Sequence, residues 1–107
     1  MYAITFDLNT KTLEQHYPHS SWRNAYNDIE LLLTEFGFTR QQGSVYFGDD
    51  EVTAVTCVTA VQELAQEYQW FELCVNDIRM LRIEEFNDLM PAIKKNLRRR
   101  KLAKKVA

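Results

Sequence analysis

The chain has no long apolar run, no basic or signal-like start and no cysteine pair at CxxC spacing. Without an apolar stretch near the roughly 20 residues of a membrane span, and with Met1 leading straight into a strand pattern, the expectation is a cytoplasmic protein with no membrane partner. Cys57 and Cys74 are its two cysteines. Cys57 lies on an apolar helix face, so the pair reads as small hydrophobes rather than a disulfide or metal ligands. The two histidines, His16 and His19, form an HxxH spacing in a polar stretch without a supporting carboxylate or cysteine, whereas structural zinc needs four ligands. Neither internal repeats nor low-complexity segments appear. At 107 residues with 46% apolar and 12% aromatic content, the chain is long enough for one packed domain and too apolar to be disordered.

Acid is also missing from one end. Residues 94–107 hold Lys94, Lys95, Arg98, Arg99, Arg100, Lys101, Lys104 and Lys105 and no carboxylate, while residues 1–93 hold 5 basic and 15 acidic residues. The overall charge of −2 therefore combines a body of −10 with a tail of +8. Such a body repels nucleic acid and such a tail attracts it. The natural division is a domain over 1–93 and a basic extension over 94–107.

The opening segment Met1–Leu8 alternates cleanly, with Tyr2, Ile4, Phe6 and Leu8 on one face and Ala3, Thr5 and Asp7 on the other. Asp7 thus ends an apolar strand as a lone carboxylate, and a half-buried acid there needs a partner, a metal or a raised pKa. The competing role is a cap for a loop or helix. A polar stretch from Asn9 to His19 follows, with Ser20 or Ser21 as the expected cap of a helix. In that helix Trp22, Ala25, Tyr26, Ile29, Leu33 and Phe36 share one face and Gly37 ends it. Phe38–Gln42 and Ser44–Phe47 read as strands around a turn or bulge at Gly43. Gly48-Asp49-Asp50 punctuates and can cap a second helix. Ala54, Cys57, Val58, Val61, Leu64, Ala65 and Tyr68 recur at helical spacing there, despite the β-branched residues between them. A last strand is expected at about Val75–Glu84, apolar on both faces and therefore covered on both. Asp88 and Pro91 mark the start of a C-terminal helix.

The order is βαββαβ, an α+β, ferredoxin-like arrangement: a four-stranded antiparallel sheet with two helices on one face, plus a basic C-terminal helix. Its other face needs the tail or a second copy. Four segments, 1–8, 25–29, 41–46 and 75–84, together resemble the virulence-associated protein D (VapD) family of small toxin-type endoribonucleases. That resemblance implies a modified ferredoxin-like fold, a homodimer built through the sheet, and cleavage of single-stranded RNA. It also implies kinship with the small CRISPR adaptation nuclease, and it points to Asp7 and Ser44 as the catalytic positions. The basic extension goes beyond what the resemblance covers.

In a dimer two copies of Asp7 can approach, which suits a hard cation such as magnesium; alternatively one carboxylate acts as base on the ribose 2′-hydroxyl. Ser44 and Tyr46 share a strand face and offer a phosphate-binding hydroxyl and a base-stacking ring, against ordinary strand packing for Tyr46. Arg40, Arg79 and Arg82 are candidates for phosphate contact, against internal pairs with Asp77, Glu84 or Glu85. Lys94, Lys95, Arg98, Arg99 and Arg100 can grip RNA or a cognate antitoxin, or form a solvated face held by the acidic body. Two further classes stay open: a non-catalytic dimeric nucleic-acid scaffold and a small-ligand regulatory module, since fold does not fix function.

Overall fold

The computed structural model describes residues 1–95. Alternation at the start produces strand β1, Tyr2–Leu8, with Ile4, Phe6 and Leu8 buried and Asp7 exposed. Helix α1, Thr10–His16, follows at once, capped by the Asn9 side chain, which accepts from Thr12 N–H at 3.0 Å. This is a first correction: the polar stretch after β1 is helical, because Asn9 caps it and Leu13 is fully buried. Pro18 excludes further helix, and the chain leaves through Tyr17.

Helix α2, Asn24–Glu35, buries Ala25, Ile29, Leu32 and Leu33, with Trp22, Tyr26 and Phe36 packed beside them. Its N-cap is Arg23, not Ser20 or Ser21; Ser21 serves through its backbone carbonyl, which accepts from Asn24 N–H at 3.1 Å. Gly37 ends the helix at φ +93, where a Cβ would lie 2.9 Å from an Asp49 carboxylate oxygen. Strands β2, Phe38–Gln42, and β3, Val45–Gly48, pair through a turn at Gly43, with a bulge between Arg40 and Gln42.

Helix α3, Ala54–Glu67, forms in spite of its β-branched residues because burial outweighs propensity. It is capped by a Thr53–Thr56 capping box rather than by the aspartates, and Asp49 instead closes the preceding turn onto Glu51 N–H. Its buried residues are Cys57, Ala60 and Leu64, so the stripe is rotated from the one expected and Val58 and Ala65 face outward. Helix α4, Gln69–Cys74, was not apparent in the sequence; it buries Trp70, Phe71 and Cys74 and runs directly into strand β4, Val75–Arg82.

The sheet order is β2-β3-β1-β4 with every neighbour antiparallel. This is the α+β, ferredoxin-like order, with α1 and α4 joining α2 and α3 in one continuous core. Each fully buried Leu, Ile or Phe there contributes about 1.5–3 kcal/mol. Both cysteines are buried and unbonded. On the opposite face, Phe86 folds back to meet Phe47 with ring centroids 5.5 Å apart, and Ala3 between Phe47 and Leu81 is covered. Elsewhere the expectation of a strand covered on both sides is not met within one chain: Met80 and Leu81 are about half exposed on the two faces of β4. Residues 90–95 are helical, and Met90 N–H donates to the Asp88 side chain at 2.9 Å. No helix among the described residues is long and apolar enough to cross a membrane.

Candidate active site on the open face of the sheet

Side chains opposite one another on antiparallel strands share a face. β1 pairs with β4 so that Asp7 stands opposite Asp77 and Thr5 opposite Arg79, and with β3 so that Thr5 stands opposite Val45. The open face of the sheet therefore carries two carboxylates side by side at one end. Its other face is the apolar core.

A bulge sharpens this arrangement. After the Asp7–Asp77 pair the register shifts, and Leu8 pairs with Val75, leaving Asn76 as the extra residue. Its amide donates to Asp7 Oδ2 at 3.3 Å. Asn9 N–H donates to the Cys74 carbonyl at 2.7 Å and ties the end of α4 to the end of β1. Asp77 is held by Arg79, whose Nε donates to both carboxylate oxygens at 3.1 and 3.2 Å. Like charges opposite one another destabilise a strand pair, and Arg79 offsets that repulsion. The Asp7 charge is also felt by Tyr26 of α2, whose phenol is raised in pKa first by burial and then by Asp7.

Asp7 is exposed rather than half-buried, so water meets the cost of its charge. Its significance comes instead from the cross-strand partner. Ser44 lies at the same end of the sheet, where its carbonyl accepts from Phe6 N–H at 3.2 Å. The alternation of β3, continued back from Val45, sets Ser44 with Phe6 on the helix side, so Asp7 and Ser44 share an end of the sheet but not a face.

Tyr46 requires a correction. It is 1% exposed and stacks on Phe6 with centroids 5.9 Å apart, so its ring has no face to offer a base. Burial, then the Glu30 charge, pushes its phenol up to about 12, with Arg40 acting in the opposite direction. Each candidate arginine has an internal partner: Arg79 with Asp77 at 3.1 Å, Arg82 with Glu84 at 3.0 Å and Arg40 with Glu30 at 3.8 Å. These pairs are exposed and individually weak, so they can be exchanged for a phosphate. Lys94 and Lys95 are exposed; Arg98, Arg99 and Arg100 lie outside the described residues. His16 ends α1 and His19 packs edge-on against Tyr17. Among the described residues no group of three or more His, Cys, Asp or Glu converges as a metal cluster.

Asp77 and Asn76 are the residues that sequence reasoning passed over as parts of a site. Their signal was the bulge, which a single sequence does not display.

No family model matches the chain. Comparison with curated proteins gives a different result. The chain is 53% identical over 93 residues to endoribonuclease VapD 2 of Riemerella anatipestifer, a match covering 87% of this chain and 99% of the relative. It is 54% identical over 94 residues to an endoribonuclease VapD homolog of Helicobacter pylori, covering 88% and 97%. A homolog of the same name from Neisseria gonorrhoeae is 42% identical over 94 residues, covering 88% and 99%. The relatives are thus matched over nearly their whole length by a stretch that leaves about a dozen residues of this chain over. At these identities and this coverage, the chain that brings Asp7 and Asp77 together belongs to the VapD endoribonuclease family.

Proposed function

We propose that this protein is an endoribonuclease that cuts single-stranded RNA as a homodimer, in the manner of a toxin, with Asp7 and Asp77 at the centre of its site. The observation that carries this is the cross-strand pair of carboxylates on the open face, at the end of the sheet where Asn76 orients Asp7. The names of the relatives supply the substrate class.

Two adjacent acids suit a hard divalent cation such as magnesium, which takes one or two protein carboxylates and completes its shell with water and phosphate oxygens. Asp7 and Asp77 are the residues that would hold it, and the charge repulsion between them favours that occupancy. When bound, such an ion stabilises the charge developing on the phosphoryl oxygens. The chain's own residues do the positioning. Asn76 engages one Asp7 oxygen and leaves most of the lone-pair sites of the carboxylate for a cation or a proton. Arg79 neutralises Asp77 at rest and, once Asp77 is engaged elsewhere, is free to pair with a phosphate. Ser44 offers a hydroxyl at the same end of the sheet, whereas Arg40 and Arg82, opposite Tyr46 and Tyr2, stand on the helix side, the face away from the two carboxylates, so Arg79 is the arginine of the open face.

The dimer reading is supported by what the single chain leaves uncovered. Strand β4 is an edge strand, and Met80, Leu81, Phe86, Leu89, Met90 and Ile93 are between 45% and 72% exposed. An apolar surface that follows an open strand edge marks an association surface, and a second copy is the simplest partner.

The test is cleavage of end-labelled single-stranded RNA by purified protein, with magnesium and with chelator, and with the product ends identified. Magnesium-dependent cleavage supports the cation. Chelator-resistant cleavage that leaves a 2′,3′-cyclic phosphate would instead assign Asp7 as base on the 2′-hydroxyl. No cleavage under either condition would leave a scaffold.

A further inference from the structure

We propose that the channel between helix α2 and helices α3 and α4, on the helical side of the domain, is a docking groove for a basic amphipathic helix of another protein. It begins as a cavity of about 440 Å³ between Glu35 on α2 and Glu63 and Glu67 on α3, floored by Leu31, Leu32 and Phe36. Across Glu67 and Tyr68, which border both, it continues into a second cavity of about 460 Å³ that reaches Asp28, Trp70 and Leu73. Leu31 and Leu73, one in each cavity, are 68% and 61% exposed, so the described chain does not bury its own floor.

The walls decide the charge of the occupant. Asp28 and Glu35 stand on one helix and Glu63 and Glu67 on the other, and among the described residues none of the four has an ion-pair partner. Three of them act on one point: the Tyr68 phenol, where the two cavities meet, is raised in pKa first by burial and then by Asp28, Glu67 and Glu35. Apart from His16 and His19 at the outer lip, the charged lining is acidic. Such walls repel RNA, and they repel the domain of a second copy, whose residues 1–93 carry 15 acidic residues against 5 basic. A protein segment that sets Lys or Arg beside apolar side chains matches both walls and floor.

The floor decides its conformation. No strand lines the groove, and its walls are helices whose backbone groups are bonded to one another. An extended peptide pressed onto Leu31, Leu32 and Phe36 would take its backbone N–H and C=O groups out of water without a partner, whereas a helix satisfies its own. From Asp28 to Phe36 the α2 wall rises about 12 Å, the length of about two turns of a partner helix. Apolar residues at i, i+3 or i+4 and i+7 would face the floor, with basic residues on both flanks. The groove lies on the face opposite the Asp7–Asp77 pair and does not depend on the RNA reading above.

Two synthetic peptides of leucine and lysine, each about 15 residues long, the length at which an isolated helix begins to hold, test it. They share one composition and charge, but in one the leucines recur at helical spacing and in the other they alternate with lysine. Titrated into isotope-labelled full-length protein at about 0.15 M salt, the helical peptide should shift the amide NMR signals of residues 28–36 and 63–73 and bind at least about tenfold tighter than the alternating one. Leu31→Ser/Leu73→Ser should weaken that binding at least about tenfold, and Glu63→Gln/Glu67→Gln about fivefold, the scale of two exposed ion pairs. All four side chains are exposed, so the fold is retained, and thermal melts of the variants check this. Glu84→Gln/Glu85→Gln removes the same charge from exposed residues just past β4, outside the groove, and should leave the affinity within about twofold. Shifts centred on β4, equal binding of the alternating peptide, or equal weakening by the control pair overturns the proposal. Single-stranded RNA that shifts the same groove residues overturns the choice of a protein partner.

Discussion

Asparagine at position 7 separates a chemical role from a structural one, because the structure sets the two expected effects far apart. Asp7 is exposed, and its interactions are one long hydrogen bond from Asn76 and a repulsive neighbour at Asp77. Asp7→Asn keeps an acceptor for Asn76, so at most a fraction of the roughly 0.5–1.5 kcal/mol of a net hydrogen bond is lost. Removing a like charge opposite Asp77 returns about 0.2–1 kcal/mol. The balance lies within about 0.5 kcal/mol of zero, a shift in Tm of no more than about 4 °C for a domain of this size. The loss of activity has a different scale. Asparagine neither attracts a cation nor accepts a proton, and a positioned acid–base group alone is worth about 10²–10⁴ in rate. Initial cleavage rates on single-stranded RNA, measured beside a thermal melt, should therefore fall at least a hundredfold with Tm nearly unchanged. Activity within about tenfold of wild type would refute the assignment. A fall in Tm of more than about 10 °C would refute the reading of Asp7 as an exposed residue that the fold does not need.

Three other outcomes follow from the same structure. Leu81→Glu puts a charge on the half-exposed surface of β4 at little cost to the single chain; light scattering should give the variant a mass near 12.6 kDa and the wild type twice that, and equal masses would remove the sheet as the interface. Burial, reinforced by its 2.7 Å hydrogen bond to Asp28, pushes the Tyr17 phenol up to about 12, and burial does the same for Tyr46, against an ordinary value of 10.0. Since these folded values lie above the unfolded ones, stability is intact below pH 10.0 and is lost as pH rises towards about 12; urea midpoints should fall over that window in wild type and much less in Tyr17→Phe/Tyr46→Phe, and parallel falls would contradict it. Truncation after Ile93 should weaken RNA binding and flatten its salt dependence by a slope of about 0.7 for each phosphate that the tail no longer neutralises, whereas unchanged binding would take the tail out of RNA recognition.

Much of the fold could be read from period alone. The six apolar residues assigned to one face of α2 all lie in or against the core, and the alternation of β1 separates its buried from its exposed side as expected. Helices α1 and α4 were missed because they are seven and six residues long, too short for a 3.6-residue period to repeat. The rotated stripe of α3 reflects the choice of small Ala60 for the inward position, where the helix packs closely. At the site, Asp7 was legible as a carboxylate ending a strand, but its partner was not. Asp77 reaches it through a register that depends on one extra residue, and side-chain alternation says nothing about which strand lies alongside. Tyr46 was misplaced for a related reason: sharing a strand face with Ser44 does not tell whether that face meets solvent or the core, and packing on Phe6 decides it.

The bulge at Asn76 also governs where this chain can change length. A regular strand turns successive side chains to opposite faces, yet here Asn76 and Asp77 are both exposed while Val75 and Ile78 pack against the core. The extra residue absorbs the change of parity. Deleting Asn76 would straighten the ladder, leaving Asp77 opposite Asp7 and Val75 opposite Leu8, and only the amide donor would be lost. Deleting Ile78 instead, with the outer pairs held in register, would slide Asp77 opposite Phe6 and turn it into the core, with Asn76 left facing Asp7. Loss of one residue is therefore tolerable at the bulge and ruinous two positions further on, although both deletions shorten the same strand by the same amount.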